Sequence, residues 1–118
     1  MSSRLYTITI DAHDPRRLAE FWRQALSYEV AVDEPDEIGI EPPGNDTAPA
    51  ICFVPVQDEK RGKNRLHLDL APDDQAAEVE RLVALGARRI DIGQGETSWV
   101  VMADPEGNEF CVLTPRES

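Results

Sequence analysis

The sequence predicts an α+β protein made of two repeats, each with one strand, one helix and three further strands. Three observations support this: apolar and polar residues alternate in short runs, two segments show helical spacing, and the order of elements recurs after about sixty residues. One helix covers only part of the apolar face of a sheet. We therefore expect the two sheets to join edge to edge around a shared concavity.

The first repeat begins with a strand predicted over residues 4–10, followed by a helix. Asp14 supplies the N-cap oxygen and Pro15 the preset backbone angle of a first turn. An apolar stripe at helical spacing follows, made of Leu18, Phe21, Trp22, Ala25 and Leu26. Three strands are predicted next, over residues 28–33, 37–41 and 50–56, with a polar loop at 42–49.

The second repeat begins with a strand predicted over Asn64–Leu70, in which leucines alternate with His67 and Asp69. This alternation directs His67 and Asp69 to the same side. The second helix starts after Pro72-Asp73-Asp74 and ends at Gly86, which accepts the left-handed conformation without penalty. The remaining strands are predicted over residues 88–92, 97–103 and 109–114, with a tight turn at 104–107.

Length and composition predict one domain, 1–118, and the repeated order of elements divides it into modules 1–58 and 63–118. The formal net charge of -11 disfavours binding to nucleic acid and to anionic membrane surfaces. The sequence shows no signal peptide and no apolar run of spanning length, so we expect a cytoplasmic protein. In that compartment Cys52 and Cys111 are expected to be free thiols.

Four stretches carry a resemblance to a known family: Asp14–Leu26, Asn64–Leu70, Glu78–Ala87 and Asp104–Leu113. In these stretches the chain resembles the vicinal oxygen chelate (VOC) superfamily, which includes glyoxalase I, extradiol dioxygenases, fosfomycin-resistance enzymes and bleomycin-binding proteins. It looks most similar to the small glyoxalase-like domains of that glyoxalase, bleomycin-resistance and dioxygenase group. The resemblance implies two βαβββ modules whose curled mixed sheets form a cup for a small molecule, and a homodimer.

Metal-using members of the superfamily hold their ion with four ligands from the first and fourth strands of each module. By register these positions fall at Thr7, His67, Cys111 and either Cys52 or Phe53. Only His67 keeps the ligand type of the family, and a hard divalent ion needs oxygen and imidazole donors. We therefore predict no cofactor and no metal, with a zinc site of His67 and the two cysteines as the alternative.

His67 and Glu109 are the candidate catalytic residues. An imidazole oriented by Asp69 suits acid-base chemistry, and Glu109 shares the face of Cys111 and could act as a carboxylate base. The competing interpretation is that His67 is a polar residue satisfied by a neighbouring carboxylate and that Glu109 is a surface charge.

The candidate ligand-binding residues are Thr7, Cys52, Arg65, Asp69, Trp99 and Cys111. Trp99 could stack on a ligand, and Arg65 belongs to a basic loop that could hold a carboxylate or phosphate. A solvated loop and an aromatic core residue are the alternatives. Both cysteines could equally be small buried apolar residues.

Three functions remain open. The first is a protein that binds or sequesters a small organic molecule, or an enzyme that uses His67 without a metal. The second is a metal-dependent lyase, isomerase or dioxygenase with an altered ligand set. The third is a module that binds a protein partner through its outer sheet edges.

Overall fold

The computed structural model describes residues 5–44, 47–57, 60–62, 64–91 and 93–116. The chain forms two compact units, Met1–Glu59 and Lys60–Ser118, and each contains one helix and one four-stranded mixed sheet. This confirms the predicted α+β class and the repeated strand and helix order. Residues 4 and 92, the predicted ends of two strands, residue 63 of the basic loop and residues 45–46 of the polar loop lie outside the described residues.

The first unit contains β1 (Thr7–Ala12), α1 (Pro15–Leu26), β2 (Glu29–Glu34), β3 (Glu37–Glu41) and β4 (Ala50–Pro55). The second unit contains β5 (Leu68–Leu70), α2 (Gln75–Leu85), β6 (Arg88–Arg89), β7 (Val100–Ala103) and β8 (Glu109–Val112). The sheet orders are β1-β4-β3-β2 and β5-β8-β7-β6. In each sheet the first pair of strands is parallel and the other pairs are antiparallel.

Local capping explains where the helices begin and end. Asp14 and Asp74 each accept a hydrogen bond from a backbone N–H three residues later, which satisfies an otherwise unpaired donor of the first turn. Ser27 closes α1 at φ 57°, and Gly86 closes α2 at φ 124°. No helix among the described residues is long and apolar enough to cross a bilayer.

Each helix covers one face of its own sheet. The buried face of α1 includes Leu18 and Trp22 and lies against β3 and β4, where Ile40 and Phe53 are almost fully buried. In the second unit Val79 and Leu82 of α2 are buried and the helix contacts β6 and β8. Phe110 and Val112 of β8 are also buried. Cys111 lies between these two residues, so its side chain points to the other face of that sheet.

The strand predicted over Asn64–Leu70 is shorter than expected. β5 begins at Leu68, which pairs with Phe110, and His67 lies immediately before it. Leu66 is 86% exposed, so its apolar side chain does not join the core as the alternation predicted. The prediction was wrong about the start because an alternating pattern does not show where the partner strand begins.

The strand registers place the two cysteines at matching positions. Cys52 is the register partner of Thr9 on one side and Gly39 on the other. Cys111 is the register partner of Asp69 on one side and Val101 on the other. Each thiol thus lies in the middle of a three-strand row, with different neighbours in the two units.

Candidate functional site

The second unit contains a pocket of about 360 Å³ on the face of its sheet that α2 does not cover. Its walls combine apolar side chains with imidazole, carboxylate, amide and thiol groups. The lining residues are Asn64, His67, Asp69, Gln94, Trp99, Val101, Glu109, Cys111 and Leu113.

Three adjacent strands place the central residues of this pocket. Asp69, Cys111 and Val101 are register partners across β5, β8 and β7, so their side chains emerge side by side. His67 lies two residues before Asp69, and Glu109 lies two residues before Cys111. The two-residue period of a strand therefore directs His67 and Glu109 to the same face as Asp69 and Cys111. The sheet thus gathers five side chains from three chain segments onto one face.

His67 and Asp69 form a close pair. The Nδ1 atom of His67 lies 3.1 Å from Oδ1 of Asp69, and the two side chains are 45% and 48% exposed. An N–H at Nδ1 that donates to the carboxylate fixes the ring and leaves the other nitrogen to accept a proton. One ligand atom from each of His67, Asp69 and Cys111 lies within 4.8 Å of the other two.

Glu109 is held by two donors at the pocket wall. The Lys60 ammonium lies 3.1 Å from its Oε1, and the backbone N–H of Asn64 donates to Oε2 at 3.2 Å. Burial by itself raises the pKa of the Glu109 carboxyl, but hydrogen bonds from its own backbone, Lys60 and Asn64 outweigh burial and leave the pKa below its usual value. Glu109 is therefore an ionised carboxylate with a fixed orientation.

Trp99 forms the aromatic part of the wall. Its side chain is 41% exposed, and the hydroxyl of Thr97 donates to its backbone carbonyl at 2.8 Å. Val101 and Leu113 add aliphatic surface to the same pocket. A flat apolar group of a ligand has a matching surface here.

The structure brings together five of the eight predicted site residues. His67, Asp69, Trp99, Glu109 and Cys111 all line this pocket. Arg65 is exposed and is not among the lining residues. The other two predicted residues, Thr7 and Cys52, belong to the first unit.

In the first unit, the polar atoms of Thr7 and Cys52 bond to neighbouring residues. The hydroxyl of Thr7 donates to the carbonyl of Ala50 at 3.1 Å, and the thiol of Cys52 donates to Oε2 of Glu37 at 3.2 Å. Burial, followed by the Glu37 carboxylate, raises the pKa of the Cys52 thiol to about 11. Cys52 is therefore a protonated thiol at neutral pH, poorly suited to metal binding or nucleophilic attack.

Sequence reasoning missed four of the lining residues, Asn64, Gln94, Val101 and Leu113. Val101 and Leu113 each lie two residues beyond a predicted site residue, Trp99 and Cys111, so the strand period could have identified them. Asn64 adjoins Arg65 in the basic loop that was predicted to hold a ligand, although Asn64 itself was not named as a contact. Gln94 lies in an irregular segment, and no sequence signal points to it.

Comparison with known proteins places the chain among glyoxalase-like folds. The family model of a glyoxalase-like domain matches residues 7–113. No curated protein matches the sequence.

Several solved structures share the fold at low identity. A glyoxalase/bleomycin resistance protein/dioxygenase family enzyme from Burkholderia phytofirmans has 20% identity and a TM-score of 0.72, covering 97% of this chain and 100% of its own. The fosfomycin resistance protein FosX from Listeria monocytogenes, solved with Mn(II) and a dihydroxypropylphosphonic acid, has 20% identity and a TM-score of 0.72, covering 98% and 93%. The antibiotic-binding protein TnmS3 from Streptomyces sp. has 20% identity and a TM-score of 0.63, covering 98% of each chain.

The donors of the second unit do not fit a hard divalent ion such as Mn(II). His67, Asp69 and Cys111 offer an imidazole, a carboxylate and a buried thiol, and Mn(II) prefers oxygen and imidazole ligands. Glu109 is already bonded to Lys60 and to the Asn64 backbone. Zinc accepts all three donor types, and three protein ligands would leave a fourth position open.

Proposed function

This chain belongs to the glyoxalase-like domain family, and from that premise we propose that it binds a small organic molecule in the pocket of its second unit without a divalent metal. The observation that carries the proposal is the combination of one apolar wall with several convergent polar groups in a volume of about 360 Å³. Small-molecule sites have this composition, and their volumes start at roughly 300 Å³.

The chemistry of the wall defines the ligand class. Trp99 offers a flat surface for an unsaturated or aromatic part of the ligand, with Val101 and Leu113 beside it. His67 and Asp69 add hydrogen-bonding groups to the lining of the same pocket. The ammonium of Lys60 is already neutralised by Glu109, so the pocket favours an uncharged ligand over an anion.

The same groups would let the site act as an enzyme. The imidazole of His67, oriented by Asp69, can accept a proton from a bound molecule and return it, which is the minimum equipment for an isomerisation or elimination. Glu109 is less suited to the role of base because its lowered pKa makes it a weak one. We therefore assign proton transfer to His67. Glu109 has a structural role, since it holds Lys60 and the Asn64 backbone at the pocket wall.

The test is a screen of uncharged aromatic and conjugated fragments by ligand-observed NMR, with EDTA present throughout. Binding that is lost in Trp99→Ala and kept in Val83→Ala would support the proposal. Val83 is a matched control because its side chain is 47% exposed, close to the 41% of Trp99, and it lies on α2 outside the pocket lining. Equal behaviour of the two variants, or a screen without a hit, would contradict it.

We extend the proposal to Arg65 as a further ligand contact, and Arg65→Ala should then weaken the binding of the same fragment. Unchanged affinity in that variant would restrict the site to the lining residues of the pocket. The ligand-binding roles of Thr7 and Cys52, which belong to the first unit, stay predictions.

A zinc-dependent reaction is the second candidate, favoured by the spacing of His67, Asp69 and Cys111. These three residues would hold the ion, which when bound supplies a Lewis acid that polarises a ligand carbonyl. Elemental analysis of protein purified without chelator distinguishes the candidates. Stoichiometric zinc that disappears in Cys111→Ser would establish the second, and metal-free protein that binds fragments would exclude it.

We also propose a homodimer in the cytoplasm. Leu5, Tyr6 and Leu66 are 68%, 75% and 86% exposed, and a second copy of the chain that covers such apolar side chains removes them from water, which favours association. Light scattering coupled to size exclusion measures the mass directly. A particle of one chain at all concentrations would reject the dimer.

A further inference from the structure

We propose that Cys111 is a nucleophile that adds to α,β-unsaturated carbonyl compounds bound in the pocket, with His67 as its base and Asp69 as the residue that positions His67. This inference rests on the metal-free binding function proposed above. It assigns a covalent reaction to a thiol that lies in a position where the family resemblance implies a metal ligand.

The geometry has the elements of an activated nucleophile. Cys111 lines the pocket, and its Sγ lies within 4.8 Å of one nitrogen of His67. The same imidazole has its Nδ1 atom 3.1 Å from Oδ1 of Asp69. Thiol and hydroxyl nucleophiles act with a base and a third group that orients the base. Cys111, His67 and Asp69 can take these roles once the thiol and the imidazole approach from within 4.8 Å to hydrogen-bond distance.

The charged groups around Cys111 are few. Asp69 faces it from β5, with His67 just ahead of that strand, and Glu109 lies two residues away on β8, paired with Lys60. From β7 the register partner is Val101, which carries no charge. Two proton acceptors among the lining residues therefore lie near the thiol without a lysine partner, His67 and Asp69, and Asp69 is itself 3.1 Å from the imidazole of His67.

The first unit provides the contrast. Cys52 lies at the matching register position, but Thr9 and Gly39 take the places of Asp69 and Val101. The thiol of Cys52 donates to the Glu37 carboxylate at 3.2 Å. A carboxylate that accepts the thiol hydrogen bond stabilises the protonated form, whereas an imidazole can remove the proton. Because an imidazole lies near Cys111, we expect Cys111 to react and Cys52 to stay inert.

The reaction balances without any further reactant. His67 takes the proton of the Cys111 thiol, and the sulfur forms a bond to the β-carbon of the ligand. The carbon–carbon π bond breaks and its electrons move to the carbonyl oxygen as an enolate. The imidazolium then returns the proton to the α-carbon, which gives a saturated thioether adduct.

The pocket also fits this class of electrophile. A conjugated carbonyl compound is planar and can lie against Trp99. Asn64 and Gln94 line the same pocket and carry amide groups that can donate to a carbonyl oxygen. Donation to that oxygen stabilises the developing enolate and speeds addition at the β-carbon.

N-Ethylmaleimide is the probe, because it is itself an uncharged α,β-unsaturated carbonyl compound. The full chain is treated at pH 7 in EDTA, and peptide mass spectrometry follows adduct formation at each cysteine separately. We expect Cys111 to react at least roughly tenfold faster than Cys52, and His67→Gln to slow Cys111 by about the same factor while leaving Cys52 unchanged. Asp69→Asn should slow Cys111 less, and Asp69→Glu should restore part of the rate.

Two results would overturn the inference. One is a Cys111 that reacts no faster than Cys52. The other is a rate at Cys111 that is the same in His67→Gln as in the unsubstituted chain. The His67 side chain is 45% exposed, so its replacement leaves the core intact, and circular dichroism checks the fold.

The fragment screen separates this failure from a failure of the binding function. If Cys111→Ser still binds fragments and Cys111 is unreactive, the covalent step is rejected and the binding function remains. If no fragment binds but Cys111 still reacts by way of His67, the binding function is rejected.

Discussion

The Nζ atom of Lys60 lies 3.1 Å from Oε1 of Glu109, an ion pair between residues 49 positions apart in sequence. The two side chains are only 22% and 10% exposed, and Glu109 also accepts a hydrogen bond from the backbone of Asn64. The pair therefore holds the segment that precedes β5 against the start of β8, beside the pocket.

Replacing Glu109 by Gln should lower the free energy of unfolding at pH 7 by about 1 kcal/mol. The lowered pKa of Glu109 means that its ionised form stabilises the fold, and this contribution is present above the ordinary carboxyl pKa near 4.5. It is lost as the pH falls through the lower pKa of the folded state. Urea unfolding from pH 7 down to pH 3 should show the variant and the unsubstituted chain converging. Glu80→Gln, at an exposed position of α2, is the control and should show a smaller difference at pH 7.

Cys52 should make stability depend on alkaline pH. Its pKa is raised to about 11 from an ordinary value of 9.0, so its protonated form stabilises the fold fully below pH 9. That stabilisation is lost as the pH rises through about 11, with a magnitude of about 2 kcal/mol. Unfolding curves in reducing buffer should therefore fall more steeply between pH 9 and pH 11 in the unsubstituted chain than in Cys52→Ser. Parallel curves would contradict the assignment.

Asp104 should be important for the stability of the second unit. Asp104 is 3% exposed, and its Oδ1 accepts hydrogen bonds from the backbone N–H groups of Glu106 and Asn108 at 2.9 and 3.0 Å. Asp104→Ala leaves these donors unpaired and should cost about 2 to 3 kcal/mol in chemical denaturation. Asp91→Ala removes one exposed bond to Gly93 and should cost less than about 1 kcal/mol. An equal loss of unfolding free energy in Asp104→Ala and Asp91→Ala would contradict the stabilising role of the buried Asp104 hydrogen bonds.

Ser27→Gly should stabilise the first unit. Ser27 is the one non-glycine residue with a positive φ, 57°, in the described part of the chain. Glycine takes this left-handed conformation without the side-chain clash, so we expect a gain of about 1 kcal/mol. Thermal unfolding measures it, and Ser98→Gly, where φ is not positive, should give no gain. A lower melting temperature for Ser27→Gly would refute the cap explanation.

The sequence predicted the helices well because helix ends are local. Asp14 and Asp74 cap the helices through bonds to residues three positions away, and Gly86 ends α2 as expected. The strand before Leu68 was predicted too long because its end depends on pairing with β8, which a local pattern does not contain.

The candidate site was predicted only in part, because local spacing shows which side chains share a strand face but not which distant residues they contact. The two-residue period directs His67 and Asp69 to one face, and Glu109 and Cys111 to one face, which sequence shows directly. The family resemblance, not the period, placed Cys111 beside His67, and the structure brings them together. The contacts that set the chemistry of Glu109 and Cys52 come from Lys60 and Glu37, which are distant in sequence. Nothing in residue type or spacing identifies those partners before the chain is folded.

Calorimetric titration of the best uncharged fragment, in EDTA, tests the central claim most directly. We predict binding that is the same with and without EDTA and that weakens about tenfold in Trp99→Ala, because the flat contact surface is lost. Binding that vanishes in EDTA, or that is unaffected by Trp99→Ala, would contradict a metal-free site in the pocket of the second unit.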